Sequence, residues 1–227
     1  MKKKTFYSEA SYIIGLVILA FSTAMTEAAD FGVSMVVASA YLLHLKISEF
    51  LPFFSFGMAE YTLQAFLILL LTVILKKFRL SFLFSFVTAV LYGFLLDGSM
   101  MIIDLIPVDT LAVRIIIFII GIVLCSLSIS LLFRTYISPE AYELFVKEIS
   151  NKYGIELSKF KMGYDCASFI ISVVISFAFF GFGNFVGINI GTVISAVVNG
   201  PLIGLFGKLL EKHFDFKDKF DFRKYFE

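Results

Sequence analysis

The sequence predicts an all-α membrane protein, with six transmembrane helices arranged as two inverted three-helix repeats, each carrying a short amphipathic helix. Three observations lead there. The 227 residues are 59% hydrophobic and 16% charged, with a mean hydropathy of +0.94. Soluble domains average about 45–50% apolar and about 25% charged residues, so this surplus needs lipid rather than an aqueous core. Apolar runs of membrane length recur along the chain, and the chain resembles itself between its two halves.

The runs fall at 10–29, 57–75, 80–103, 111–133, 164–183 and 188–210. Each meets or approaches the roughly 20 residues that cross the hydrocarbon at about 1.5 Å per residue. The first follows Lys2, Lys3 and Lys4 like a leader peptide, but Thr26-Glu27-Ala28 is a poor cleavage site, so the run is read as a retained span. Segment 31–46 is too short to span and carries His44 and Lys46. Segment 138–154 sets Tyr142, Phe145, Val146 and Ile149 at helical spacing between charges. Ser138 before Pro139 and Glu140 reads as its start, and Gly154 as its stop. It is expected to lie on the membrane interface. Cys125 and Cys166 sit in or beside apolar runs with no paired spacing, which gives buried thiols rather than a disulfide or a metal site.

Lysine and arginine set the orientation. With the N-terminus inside and six crossings, Lys2–Lys4, Lys76, Lys77, Arg79, Arg134, Lys147, Lys152, Lys159, Lys161 and the bases from Lys208 to Lys224 all fall inside. Lys46 and Arg114 are the exceptions among 19 bases. Glu27, Asp30, Glu49, Glu60, Asp97, Asp104 and Asp109 collect outside. Both termini are expected in the cytoplasm, and the tail 214–227, where Phe alternates with nearly balanced charge, on the inner surface rather than on nucleic acid.

The repeat pairs "YIIGLVILAFSTA" (12–24) with "FIIGIVLCSLSIS" (118–130), Lys46 with Lys152, Phe54 with Phe160 and Gly57 with Gly163. One residue out of step, "TAVLYGFLLD" (88–97) pairs with "SAVVNGPLIG" (195–204). Residues 1–107 then form a first repeat with an outer amphipathic segment at 31–46. Residues 108–213 form a second, with an inner amphipathic helix at 138–154. Three spans per repeat invert the second copy, an arrangement common in secondary transporters whose substrate sits at mid-depth.

This frame selects the candidate residues. Asn199, Gly200 and Pro201 lie at the middle of the sixth span, and Tyr92 and Gly93 at the middle of the third. Glycine permits close helix crossing, proline frees the carbonyl of Val197, and Asn199 offers both a donor and an acceptor. A substrate role and a packing role are about equally supported there. Glu60 and Gln64, one helical turn apart, are further binding candidates, and Glu60 is the best candidate for proton or cation coupling. Asn189 and Thr192, after the glycine-rich stretch 180–192, are placed in an outer vestibule. Arg114 is expected to pair with Asp97 or Asp104, and Asp165 to sit at the inner end of the fifth span. Nothing points to catalysis, a cofactor or a metal; in particular the glycine-rich stretch lacks the Lys-Ser/Thr of a phosphate loop.

The stretches "GINIGTVISAVVNGPLIG", "YISPEAYELFVKEISNKYGIELSKFKMGYD" and "GVSMVVASAYLL" resemble the YczE/YyaS/YitT-type bacterial integral membrane proteins. The resemblance implies a bacterial plasma-membrane protein and little about its substrate. Three functions fit the residues: a small secondary transporter of a small organic solute by alternating access, a substrate-capture subunit of an energy-coupling-factor vitamin importer, and a lipid-handling or scaffold protein. For the second, Ala20, Ala24 and Ala28 form a small-residue docking stripe. Expected partners are a small-molecule substrate and membrane lipid, with a homodimer or energising subunits left open.

Overall fold

The computed structural model describes residues 3–32, 34–54 and 56–226. Lys2, counted among the inner bases, and Val33, in the 31–46 segment, lie outside the described residues. Strand β1 (Lys4–Tyr7) leads into α1 (Ser8–Ala28), followed by α2 (Ala38–Ser48), α3 (Phe56–Leu75), a 3-10 turn at Leu80–Leu83, and α4 (Phe84–Ile103). The second half runs α5 (Leu111–Leu132), α6 (Ala141–Tyr153), α7 (Leu157–Phe180) and α8 (Ile190–His213), followed by β2 (Phe214–Lys217) and a C-terminal 3-10 turn at Arg223–Tyr225. Six helices are long and apolar enough to cross a membrane: α1, α3, α4 with its preceding turn, α5, α7 and α8. They agree with the six expected spans within a few residues, except that α7 begins at Leu157 rather than 164. Lys161 and Asp165 form an ion pair inside its first turns, so charge did not end the helix.

Local chemistry fixes the ends. The Thr110 hydroxyl accepts from the Val113 N–H at 3.3 Å and caps α5. Asn189 and Thr192 form a reciprocal capping box at the start of α8. Gly154 adopts φ 64° and terminates α6. Helix α6 starts at Ala141, later than expected, because the Ser138 hydroxyl is spent on the Ser81 carbonyl at 2.8 Å. Ser138 thus ties the 133–140 link to the 3-10 turn instead of capping the helix.

At the centre, α1 and α5 pack antiparallel. A β-carbon at Gly15 would lie 3.3 Å from the Ser128 carbonyl, and one at Gly121 would lie 3.2 Å from the Ser22 carbonyl. Gly15 with Gly121, and Ser22 with Ser128, are the residues that the sequence repeat aligns. Each half therefore presents the same residues to the other, as at a two-fold interface. The remaining packing has the same pattern: α1 meets α4 as α5 meets α8, and α3 meets α6 as α7 meets α2. The match stops at α4. Gly93 has nothing within 4 Å of an added β-carbon, whereas α8 packs closely on α7.

Neither short helix lies flat on the surface. Residues 141–146 of α6 are all buried, Glu143 included. Beside α3, Tyr142 sits near Glu60, Arg79 reaches Glu148 at 3.6 Å, and Lys152 donates to the Ile74 carbonyl. Helix α6 therefore runs parallel to α3 along most of its length, starting in the interior and ending at the end of α3. Helix α2 begins among buried Ala38, Ser39 and Ala40, with Ser39 bonded to Ser172 of α7 at 2.9 Å. It ends beside the start of α3, where Tyr41 packs on Phe56 and His44 contacts the Phe54 carbonyl. The two short helices thus start in the interior and exit toward opposite ends of α3. The interfacial placement fails because the charge of Glu143 is met by Lys161 rather than by water.

The tail is also not a loose surface segment. β2 pairs in parallel with β1, Lys4 opposite Phe214 and Tyr7 opposite Lys217. The Glu9 carboxylate accepts the Lys219 and Phe220 N–H groups and the Tyr136 hydroxyl. Arg223 beside Asp218, helped by the Ser8 hydroxyl, holds that carboxyl below its ordinary value. Both ends of the chain are clasped together at one face.

Candidate functional site

The most buried charge among the described residues is not near Asn199 but between α3, α6 and α7. Lys161 is completely buried, and its Nζ lies 2.8 Å from Asp165 Oδ1 and 3.6 Å from Glu143 Oε1. Asp165 is also fully buried. One helical turn of spacing puts Lys161 and Asp165 on the same face of α7, and that face meets α6 at Glu143. Burying three charges is tolerable only where they compensate one another.

A second layer of acids sits above this triad. Glu60 and Gln64 are one turn apart on α3, and Glu140 stands just before α6. Glu60 is within electrostatic range of Tyr142 and Glu143, and Glu140 of Glu143 and Glu60. Glu60 Oε2 and Gln64 Oε1 are shut off from solvent without a closed hydrogen bond, while the Tyr142 and Gln64 side chains lie within hydrogen-bonding range of the Glu60 carboxyl. A large apolar group walls this side: Leu67, Ile68, Leu71, Phe145 and Ile149, with Val36 and Val37 from the approach to α2 packed against it. The starts of both short helices therefore meet here. Their N-terminal dipoles, equivalent to about half a positive charge each, offset only part of the acidic excess.

The mid-span residues border this cluster from α5 and α8. Asn199 is buried and accepts from Ser126 at 3.2 Å, and neighbouring Cys125 feels Lys161, Glu143 and Asp165. Gly200 is a packing position: an added β-carbon would lie 2.6 Å from Met162 Cβ and 2.8 Å from the Ser158 carbonyl of α7. Pro201 is exposed on the opposite face and points away from the cluster. Tyr92 donates to Thr23 at 2.8 Å and lies within electrostatic range of Glu140. Gly93 makes no close crossing, since α4 lacks the partner that α8 has in α7.

Other sequence candidates fall elsewhere. Arg114 pairs with Asp30 at 2.9 Å and holds the Ala29 carbonyl, while Asp97 is exposed. The expected pair of Arg114 with Asp97 or Asp104 does not form because Arg114, early in α5, is held at the adjacent end of α1. Asn189 and Thr192 serve the α8 cap and pack on the Phe31–Gly32 turn rather than line a vestibule. Ala20 and Ala24 are buried within the fold and offer no docking stripe.

The residues that sequence reasoning missed are Glu143, Lys161, Glu140 and Tyr142. In the sequence Lys161 is one more base on the inner side. Its spacing to Asp165 was visible, but its partner Glu143 was hidden in what read as the polar face of an amphipathic helix.

A cavity of about 460 Å³ lies between the 3-10 turn before α4, the 133–138 link, α6 and the C-terminal turn. Arg79, Arg134, Lys147 and Arg223 line it, with Glu148 and Ser138. It is bounded by the same link that carries Glu140 into the interior, and Tyr12, Thr88 and the Ser138 carbonyl anchor that link in a relay of hydrogen bonds. On the far side, an apolar cleft of about 430 Å³ lined by Phe31, Ile115, Phe118 and Ile194 opens between α5 and α8, a surface suited to acyl chains.

Comparison with curated proteins and with solved structures found no match. The matched region, residues 6–208, holds the buried cluster and every long helix except the last residues of α8, and the chain belongs to the Family of unknown function (DUF6198).

Proposed function

We propose that the protein is a small secondary transporter of the YczE/YyaS/YitT type, moving a small polar solute by alternating access between two inverted halves. The observation that carries this reading is the group of buried Gln64, Glu143, Lys161 and Asp165 with half-buried Glu60 and Glu140, where the two short helices begin. Ionisable groups in the interior of a membrane protein are costly and mark ion or substrate paths. Irregular backbone and helix ends at such depth belong where they line a site. The reciprocal contacts of Gly15 and Gly121 support two halves that can exchange roles. Clasped termini on the side of Arg79, Arg134, Lys147 and Lys152 support an inner face there, in a bacterial plasma membrane. The cavity beside the 133–138 link is the inner approach to the site.

Native mass spectrometry on gently solubilised protein tests the reading. A co-purifying polar small molecule is expected on the wild type, and a loss of at least tenfold in its occupancy on Gln64→Leu. Bound lipid alone on both proteins would count against solute transport and favour a lipid-handling role.

A further inference from the structure

Neither the charge nor the hydrogen bonds of the buried cluster close within the protein. The groups facing one another are Glu60 and Gln64 from α3, Glu140 from the link, and Tyr142 and Glu143 from α6. Lys161, Tyr164 and Asp165 face them from α7, with Tyr92 of α4, Cys125 of α5 and Asn199 of α8 at the edge. Among the described residues Lys161 is the cation of this group, and it is committed to Asp165 and Glu143. No Lys, Arg or His among the described residues forms an ion pair with Glu60 or Glu140.

Hydrogen bonding shows the same shortfall. Gln64 is 2% exposed, and the Tyr142 and Gln64 side chains lie within hydrogen-bonding range of the Glu60 carboxyl, yet neither Gln64 Oε1 nor Glu60 Oε2 has a closed bond. Both atoms are pure acceptors when Glu60 is ionised. A buried unsatisfied polar atom costs about 1–3 kcal/mol, so the arrangement calls for an added donor that also brings positive charge. The described residues contain no group of three or more His, Cys, Asp or Glu side chains placed to hold a metal ion. A proton meets both needs in no added volume. On Glu60 Oε2 it removes one uncompensated charge and makes the carboxyl a donor toward Gln64 Oε1 on the same helix face or toward Tyr142 Oη.

We propose that Glu60 is the proton-carrying residue of this protein: its carboxylate takes a proton from water on one side and releases it to water on the other. Glu140 and the Glu143–Lys161–Asp165 triad set the surrounding charge. This names the coupling ion of the transporter and rests on that reading.

The test is infrared spectroscopy of purified full-length protein in heavy water, following the stretch of protonated carboxyls across a pH series from about 5 to 9. The wild type is expected to show a buried protonated-carboxyl band that disappears as pH rises, and Glu60→Gln to lack it while Glu140→Gln changes its titration. Should Glu60→Gln not fold, Glu60→Asp serves, with a displaced band expected. An identical band in Glu60→Gln and wild type overturns the proposal. So does loss of the band when sodium chloride replaces choline chloride at constant pH, which would assign the site to sodium. A titrating Glu60 band without any solute in native mass spectrometry would leave the proton site standing and remove the transporter reading.

Discussion

Lys161→Met is expected to be the most damaging single substitution outside the core. It removes the one positive charge that Asp165 and Glu143 share and leaves two carboxylates buried beside Glu60 and Glu140. Breaking a buried ion pair from one side costs about 3–5 kcal/mol, so the purified protein should melt far below the wild type or aggregate in mild detergent. Removing the stranded charges as well should restore most of the loss: Glu143→Gln and Asp165→Leu added to Lys161→Met are expected to recover the greater part of the melting temperature. A triple variant no better than Lys161→Met would show that the lysine acts through packing rather than charge. Such recovery is a coupling between contacting residues and is read as a departure from additivity.

Gly200→Val should have the second large effect, and its repeat partner gives the internal control. Its β-carbon would lie 2.6 Å from Met162 Cβ and 3.0 Å from Met162 Cα. Backbone and first side-chain atoms of α7 cannot move aside as a flexible side-chain end can. Overpacking of this kind costs about 1–3 kcal/mol, and α7 and α8 must separate. Gly93→Val, at the aligned position of α4, meets nothing within 4 Å and should leave the melting temperature within error. Equal losses at both positions would contradict the asymmetry between α4 and α8.

That asymmetry marks the limit of what the sequence disclosed. The six long helices were legible because an apolar run of membrane length has few alternatives. The α1–α5 centre was legible through the repeat, since the aligned glycines and serines are the contacting residues. The third pair of the repeat, Tyr92-Gly93 with Asn199-Gly200, aligned equally well and yet only Gly200 crosses a neighbour closely. Self-similarity in sequence carries no record of which helix a residue faces.

The site was only half legible, for an electrostatic reason. Glu60, Gln64 and Asp165 stood out as polar groups in apolar surroundings. Glu143 and Lys161 did not, because two buried charges that neutralise each other look, one at a time, like a solvated helix face and a cytoplasmic lysine. Amphipathic spacing in α6 was read correctly as a helix and wrongly as an interfacial one. The burial of Glu143 is settled by a partner eighteen residues on, which no local pattern contains. The tail shows the same limit: alternating Phe and charge in 214–217 is strand patterning, and its partner strand lies at the other end of the chain.

The proposed transporter requires two inverted halves around this buried cluster, with α2 and α6 entering from opposite faces. Its most direct measurement places single cysteines at Lys46 and at Lys152, on a background with Cys125 and Cys166 replaced by alanine, and labels intact cells with a membrane-impermeant thiol reagent. Labelling of position 46 from outside, and of position 152 only after the membrane is opened, is the expected result. Labelling of both positions from the same side would contradict the account.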